Sequence, residues 1–300
     1  MKILNFGSLN LDYVYAVDHM VKPGETLAAS AMEAFCGGKG LNQSIALARA
    51  GAQVYHAGLI GEEGEVLKEA VAASGADTSL IKTIDGKSGH TIIQVDRKGQ
   101  NCILLYGGTN RRVTCQFADQ VLSEFQPGDI LLLQNEINQL PYIIDKAYER
   151  GLEIILNPSP YDENLDSCDL NKVSMFLLNE IEGEQITGSC RPEEILDGLK
   201  EKFEGVKVVL TLGSRGAIYQ DQDQRCSQGI YPVEAVDTTG AGDTFTGYFI
   251  ASMIGGEEPQ QCLALAAKAS AIAVSRKGAA PSIPDREEVL NLKLTEKKEI

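Results

Sequence analysis

Apolar and polar positions along this chain follow two periods. Ile130-Leu131-Leu132-Leu133-Gln134 is a continuous apolar run after Pro127-Gly128-Asp129. A stretch of helical spacing follows and ends near Arg150-Gly151, where Leu152-Glu153-Ile154-Ile155-Leu156 leads into Asn157-Pro158. Lys207-Val208-Val209-Leu210-Thr211-Leu212 runs into Gly213 in the same manner, and Met1-Lys2-Ile3-Leu4-Asn5-Phe6-Gly7 reads as a first strand. Short apolar strands separated by helices predict a mainly parallel sheet covered on both faces. Residues 9–35 and 88–108 depart from this pattern, because they are extended or alternating. Thr91-Ile92-Ile93-Gln94-Val95-Asp96, the turn Arg97-Lys98-Gly99-Gln100 and Asn101-Cys102-Ile103-Leu104-Leu105-Tyr106 form a hairpin pattern set apart from the helices. The pattern predicts one α/β unit over residues 1–300, with a β-lid built from residues 9–35 and 88–108. Ile92, Val95, Ile103 and Leu105 are expected to share one exposed apolar face of that lid, a face suited to a homodimer.

Composition narrows the class. The chain has 300 residues, 43% hydrophobic and 23% charged, which is ordinary for a soluble globular protein. The first segment turns polar too quickly for a signal peptide, and no apolar run approaches the roughly 18 residues that span a bilayer. A cytoplasmic protein with no membrane partner is expected. The net charge of −15 argues against nucleic acid, whose phosphates need basic surface. Seven cysteines, none two residues from another, fit a reducing compartment rather than a disulfide framework or a zinc site. His19, His56 and His90 lie far apart and show no ligand spacing.

Candidate chemistry concentrates in two glycine-rich segments. In Asp237-Thr238-Thr239-Gly240-Ala241-Gly242-Asp243-Thr244, a loop turns into a helix whose apolar face is Phe245, Phe249, Ile250, Met253 and Ile254. Gly255-Gly256 ends that helix. Small residues at a helix start let a phosphate approach the first free N–H groups. Asp243 is then either an acidic residue favoured by the helix dipole or a base beside an anion-binding turn. The second segment is Phe35-Cys36-Gly37-Gly38-Lys39-Gly40-Leu41-Asn42-Gln43, followed by a helix with Leu41, Ile45 and Ala48 on one side. It matches neither the Walker loop nor the dinucleotide fingerprint. It is either a plain glycine turn or a place where Lys39 and Asn42 meet a small polar ligand.

Together these two segments resemble the paired motifs of the PfkB sugar-kinase family. The likeness extends in order along the chain, through Gly7–Asp12, Pro23–Thr26, Asn157–Pro160, Asn179–Glu182, Thr211–Gly216 and Ala271–Gly278. It is strongest to the ribose-phosphorylating members. The resemblance implies a three-layer α/β sandwich with a central, mainly parallel sheet and a small β-sheet lid. It implies transfer of phosphate from ATP to D-ribose, with ATP and the sugar as small-molecule partners and Mg2+ and K+ as metals. By the same resemblance, Asp243 is the base and Gly240, Ala241 and Gly242 form the anion hole. Asp12, Gly38, Lys39, Asn42 and Glu136 contact the sugar. Asn179, Thr211, Gly213, Gly216 and Gly242 serve the nucleotide, and Glu182 holds magnesium through water. Asp237, Thr239, Ala273, Arg276, Gly278 and Ser282 surround potassium. A related kinase acting on deoxyribose, a ketohexose or a nucleoside, or a non-catalytic sensor, are the competing readings.

Overall fold

The computed structural model describes residues 1–297. Its strands are β1 (Ile3–Phe6), β2 (Asn10–Ala16), β3 (Ala31–Gly37), β4 (Val54–Ile60), β5 (Asp77–Thr83), β6 (Gly89–Val95) and β7 (Asn101–Tyr106). They continue with β8 (Ile130–Gln134), β9 (Glu153–Asn157), β10 (Met175–Asn179), β11 (Lys207–Thr211), β12 (Ala217–Gln220) and β13 (Arg225–Gln228). The helices are α1 (Lys39–Arg49), α2 (Glu65–Ala73), α3 (Cys115–Leu122), α4 (Leu140–Glu149), α5 (Glu180–Thr187), α6 (Pro192–Lys202), α7 (Ala241–Ile254), α8 (Pro259–Val274) and α9 (Arg286–Asn291).

Among the described residues, nine strands form one sheet in the order β13-β12-β11-β10-β9-β8-β1-β4-β5. All neighbours are parallel except β11–β12 and β12–β13. Alternation along each strand feeds two cores. Ile3, Leu132, Ile155, Leu177 and Val209 face one layer with α1, α2, α7 and α8. Leu4, Leu131, Ile154, Phe176 and Val208 face the other with α3, α4, α5 and α6. Each parallel strand is therefore apolar on both sides, which is why the runs at 130–134 and 207–211 show no polar alternation. This is the three-layer arrangement that the pattern predicted.

A second sheet stands at the carboxyl ends of β1 and β8, in the order β3-β2-β6-β7. β6 and β7 form the expected hairpin, but β2 joins β6 in parallel. The pairing corrects one expectation about the lid. Thr91, Ile93 and Val95 share a face with Asn101, Ile103 and Leu105, whereas Ile92 is paired with Leu104 on the other face. The four residues expected on one face are thus split between two. Ile103 is 56% and Leu104 67% exposed, so both faces of the hairpin are bare.

Candidate active site

Asp12 stands in β2 where the small sheet meets the large one. Its Oδ1 accepts a bond from Thr91 Oγ1 at 2.6 Å, and its carboxylate fills the space beside Gly37. Burial pushes the Asp12 carboxyl up to about 6, and the Thr91 bond only partly opposes this. Glu136, just after β8, adds its negative charge to the same pocket. Glu136 Oε2 accepts from Lys39 N at 3.0 Å and from Ser8 Oγ. Burial raises the Glu136 carboxyl, and Lys39 pulls it partly back. Burial disfavours the charged Lys39 ammonium, but Asp243, Glu136 and Glu182 outweigh this and leave it raised.

α1 begins against β1 because residue 40 is glycine. A Cβ there would lie 2.4 Å from Ser8 N, so no larger residue lets the helix start so close to the strand. This places Asn42 and Gln43 against α7. Asn42 Nδ2 donates to Asp243 Oδ2 at 3.0 Å, and Gln43 Nε2 donates to Asp243 Oδ1 at 2.9 Å. Asp243 is only 7% exposed. α7 itself starts from Gly240, whose φ of +74° is left-handed and suits glycine. Ala241 N–H closes the turn on Thr238 O at 3.3 Å. The N–H groups of Gly240, Gly242 and Asp243 find no acceptor among the described residues. The free donors at this helix start therefore include Asp243's own N–H, which the sequence reading left out, while that of Ala241 is engaged in the turn.

Two cavities meet at this helix start. A polar one of about 270 Å3 is lined by Lys39, Asn157, Asn179, Glu182, Gly240 and Asp243, among others. An apolar groove of about 470 Å3 is lined by Gly213, Tyr231, Val233, Phe245, Ala267 and Val274, among others. Thr211, Thr238 and Gly242 border both. Asn179 caps α5 and forms a reciprocal capping box with Glu182. Glu182 Oε2 accepts from Asn179 N at 3.0 Å, and Oε1 from Asn179 Nδ2 at 3.1 Å. Capping and placement at the cavity thus coincide in the same two side chains. Gly216 lines neither cavity. A Cβ on it would meet Gln228 O at 2.0 Å, so glycine here lets the end of β13 pass close beside the start of β12.

The loops at 236–240 and 273–282 are tied together. Val236 N and Asp237 N donate to Val274 O. Asp237 Oδ1 accepts from Thr239 N and Oγ1 at 2.9 and 2.7 Å, and Oδ2 accepts from Gly278 N at 2.9 Å. Burial opposes ionisation of Asp237, but these donors hold its carboxyl below the ordinary value. Asp237 thus bonds its own turn and also reaches across to the second loop. The Arg276 guanidinium is turned to Glu288. Among the described residues, no group of three His, Cys, Asp or Glu side chains is placed to hold a metal. Sequence reasoning missed Ser8, Thr91 and Gln43, and the groove wall Ile230–Val233. The wall is an irregular segment with no periodic signal, but Gln43 follows Asn42 directly on α1 and was open to the same argument.

A carboxylate between a polar pocket and a helix start with spare N–H donors, next to an apolar groove, defines a phosphotransferase of the three-layer α/β type. The chain belongs to the PfkB family of carbohydrate kinases, whose model matches residues 1–286. It is 34% identical over 294 residues to a ribokinase of Haemophilus influenzae, covering 95% of each chain. It is 35% identical over 305 residues to one of Staphylococcus aureus, covering 96% of this chain and 98% of that one. Among solved structures, an Arabidopsis thaliana ribokinase complexed with ribose and ATP aligns with a TM-score of 0.84 at 30% identity, covering 96% of this chain and 97% of that one.

Proposed function

We propose that this carbohydrate kinase transfers the γ-phosphoryl group of ATP to the terminal hydroxyl of D-ribose, giving ribose 5-phosphate and ADP. The observation that carries the reading is Asp243, held between Asn42 on the sugar side and the free N–H groups of the α7 turn. Asp12 accepts two ribose hydroxyls, and Glu136, Lys39, Gly38 and Asn42 complete the sugar pocket. Asp243 takes the proton of the terminal hydroxyl as that oxygen attacks phosphorus in line. The turn at 240–243 stabilises charge on the phosphoryl oxygens, and Lys39 adds a half-buried positive charge beside it. The adenine lies in the apolar groove past Thr211 and Gly213, and the phosphates lie in the polar cavity near Asn179. Glu182 would hold magnesium through water, and magnesium would supply neutralisation of the phosphate charge. The carbonyls of Thr239, Ala273, Arg276 and Gly278, with Asp237 and Ser282, suit potassium, because Asp237 Oδ2 accepts a single N–H bond and keeps a lone pair. The lid residues Met32, Ile103, Leu104, Leu105 and Tyr106, all exposed, support a homodimer through the lids, which light scattering on the purified protein tests. Among the described residues no helix is long and apolar enough to cross a membrane, and the reading places the enzyme in the cytoplasm.

The test is a phosphorylation screen over pentoses, hexoses and nucleosides with ATP. Ribose is expected to give the highest kcat/KM. Loss of the 2-hydroxyl removes one charge-assisted bond of about 1.5–3 kcal/mol, so deoxyribose is expected to be roughly 10- to 150-fold poorer. Equal or better efficiency with deoxyribose, a ketohexose or a nucleoside moves the assignment to that substrate.

A further inference from the structure

Asp243 is gripped from two sides, and one of them lies outside the sugar pocket. Gln43 donates to Asp243 Oδ1 at 2.9 Å, is fully buried and lines neither cavity. Behind it runs a chain of side chains with no exposed surface: Gln134, Asn5, Ser44 and His56. Gln134 Nε2 donates to Gln43 Oε1 at 2.7 Å and to Asn5 Oδ1 at 2.9 Å. Asn5 Nδ2 donates to Gly40 O and to Ser44 Oγ, both at 2.8 Å. Ser44 Oγ lies 2.7 Å from His56 Nδ1.

The direction of this chain is set by the backbone. Gly40 O can only accept, so the amide nitrogen of Asn5 must face it. Asn5 Oδ1 then faces Gln134, which must answer with its nitrogen. Gln43 in turn must present its carbonyl to Gln134 and its N–H to Asp243. A flipped Gln43 would set a carbonyl against a carboxylate and an N–H against an N–H, both buried. At the far end the Ser44 hydroxyl, already accepting from Asn5, donates to His56 Nδ1. Complete burial pushes the His56 imidazole down to about 3, which keeps it neutral and able to accept.

We infer that Gln43 is a positioning residue for phosphoryl transfer, a carboxamide locked as a donor that fixes the orientation of the Asp243 carboxylate and leaves Oδ2, beside Asn42, as the oxygen that meets the sugar hydroxyl. The inference rests on the reading of Asp243 as the base. Lys39 and Glu136 are the charged groups that also act on Asp243, and Glu182 acts on Lys39 across the cavity. None of them belongs to this chain of neutral groups.

The test uses Gln43→Met, which removes the donor at similar volume, and Gln43→Glu, which keeps the shape. Both are compared with the parent for kcat, sugar KM, the pH profile of kcat and thermal unfolding. In Gln43→Met, kcat is expected to fall roughly 10- to 100-fold, on the scale of a misplaced catalytic group, with sugar KM changed less than about threefold. In Gln43→Glu, the introduced carboxyl still donates while it is protonated, so activity is kept at low pH and lost as pH rises. An unchanged kcat, or a fall in kcat matched by an equal rise in sugar KM or by early thermal unfolding, overturns the inference. If Gln43→Met does not fold, a Gln43→Glu profile that superimposes on the parent's overturns it equally. Asp243→Asn run alongside separates the two claims: an active Asp243→Asn ends the assignment of the base, while an inactive one with a normal Gln43→Met ends only the role of Gln43.

Discussion

If Asp243 is the proposed base, its replacement by asparagine removes that base and little else. The geometry shows why the fold tolerates it. Gln43 cannot turn its amide, because Gln134 donates into its carbonyl, so the new carboxamide at position 243 must place its oxygen toward Gln43. Its nitrogen then faces Asn42. Asn42 Oδ1 is buried with no partner, so Asn42 can exchange its oxygen and nitrogen and accept from that carboxamide. Every contact is remade, as neutral bonds in place of charge-assisted ones. The cost is about 1–2 kcal/mol at most, which in a chain of this size lowers Tm by several degrees or less. Catalysis responds differently. An amide cannot take the hydroxyl proton, and general-base contributions are typically 100- to 10,000-fold, or about 2.7–5.4 kcal/mol in the barrier. A coupled assay for ADP release at saturating ribose and ATP is therefore expected to show kcat down at least 100-fold. Calorimetric titration with ATP is expected to show affinity within a few-fold of the parent. Turnover within tenfold of the parent by folded Asp243→Asn refutes the reasoning.

Four further outcomes follow from other parts of the structure. The Asp12 carboxyl lies at about 6, so its hydroxyl-accepting ionised form is present above that pH and lost as pH falls through it; sugar KM is expected to rise about tenfold per pH unit below 6, and a flat KM between pH 5 and 7 contradicts this. Because that value is raised from 3.8, the ionised group costs stability above pH 6, so Asp12→Asn is expected to melt higher at pH 7.5 in scanning calorimetry. Exchanging potassium for sodium at fixed ionic strength is expected to lower kcat several-fold, and Asp237→Ala to abolish the difference together with most activity; equal rates in the two salts leave Asp237 as a turn residue only. Gly247→Ala would set a Cβ 2.4 Å from that of Ala46 and 2.8 Å from Leu47 N, prising α7 from α1; a loss of about 1–3 kcal/mol in urea unfolding is expected, with reduced kcat as Asp243 shifts from Asn42 and Gln43.

The sequence alone carried the layers of this fold and the local form of the candidate site. Continuous apolar runs at 130–134 and 207–211 mean strands buried on both faces, and glycines before Asp243 mean a helix start open to an anion. These are local properties, set by side-chain periodicity and by backbone freedom within a few residues. What tertiary structure decided are the meetings between distant segments. That Gln43 touches Asp243, 200 residues away, depends on the close approach of α1 and α7 and on Gly40 seating α1 against β1. Which lid residues share a face depends on the register of β6 against β7, and a shift of one residue would exchange the faces. The raised carboxyls of Asp12 and Glu136 come from burial, a property of the packed pocket rather than of either residue type. Even the direction of the Gln43 amide is fixed by a backbone carbonyl at Gly40, relayed through Asn5 and Gln134, because each donor in the chain must face an acceptor.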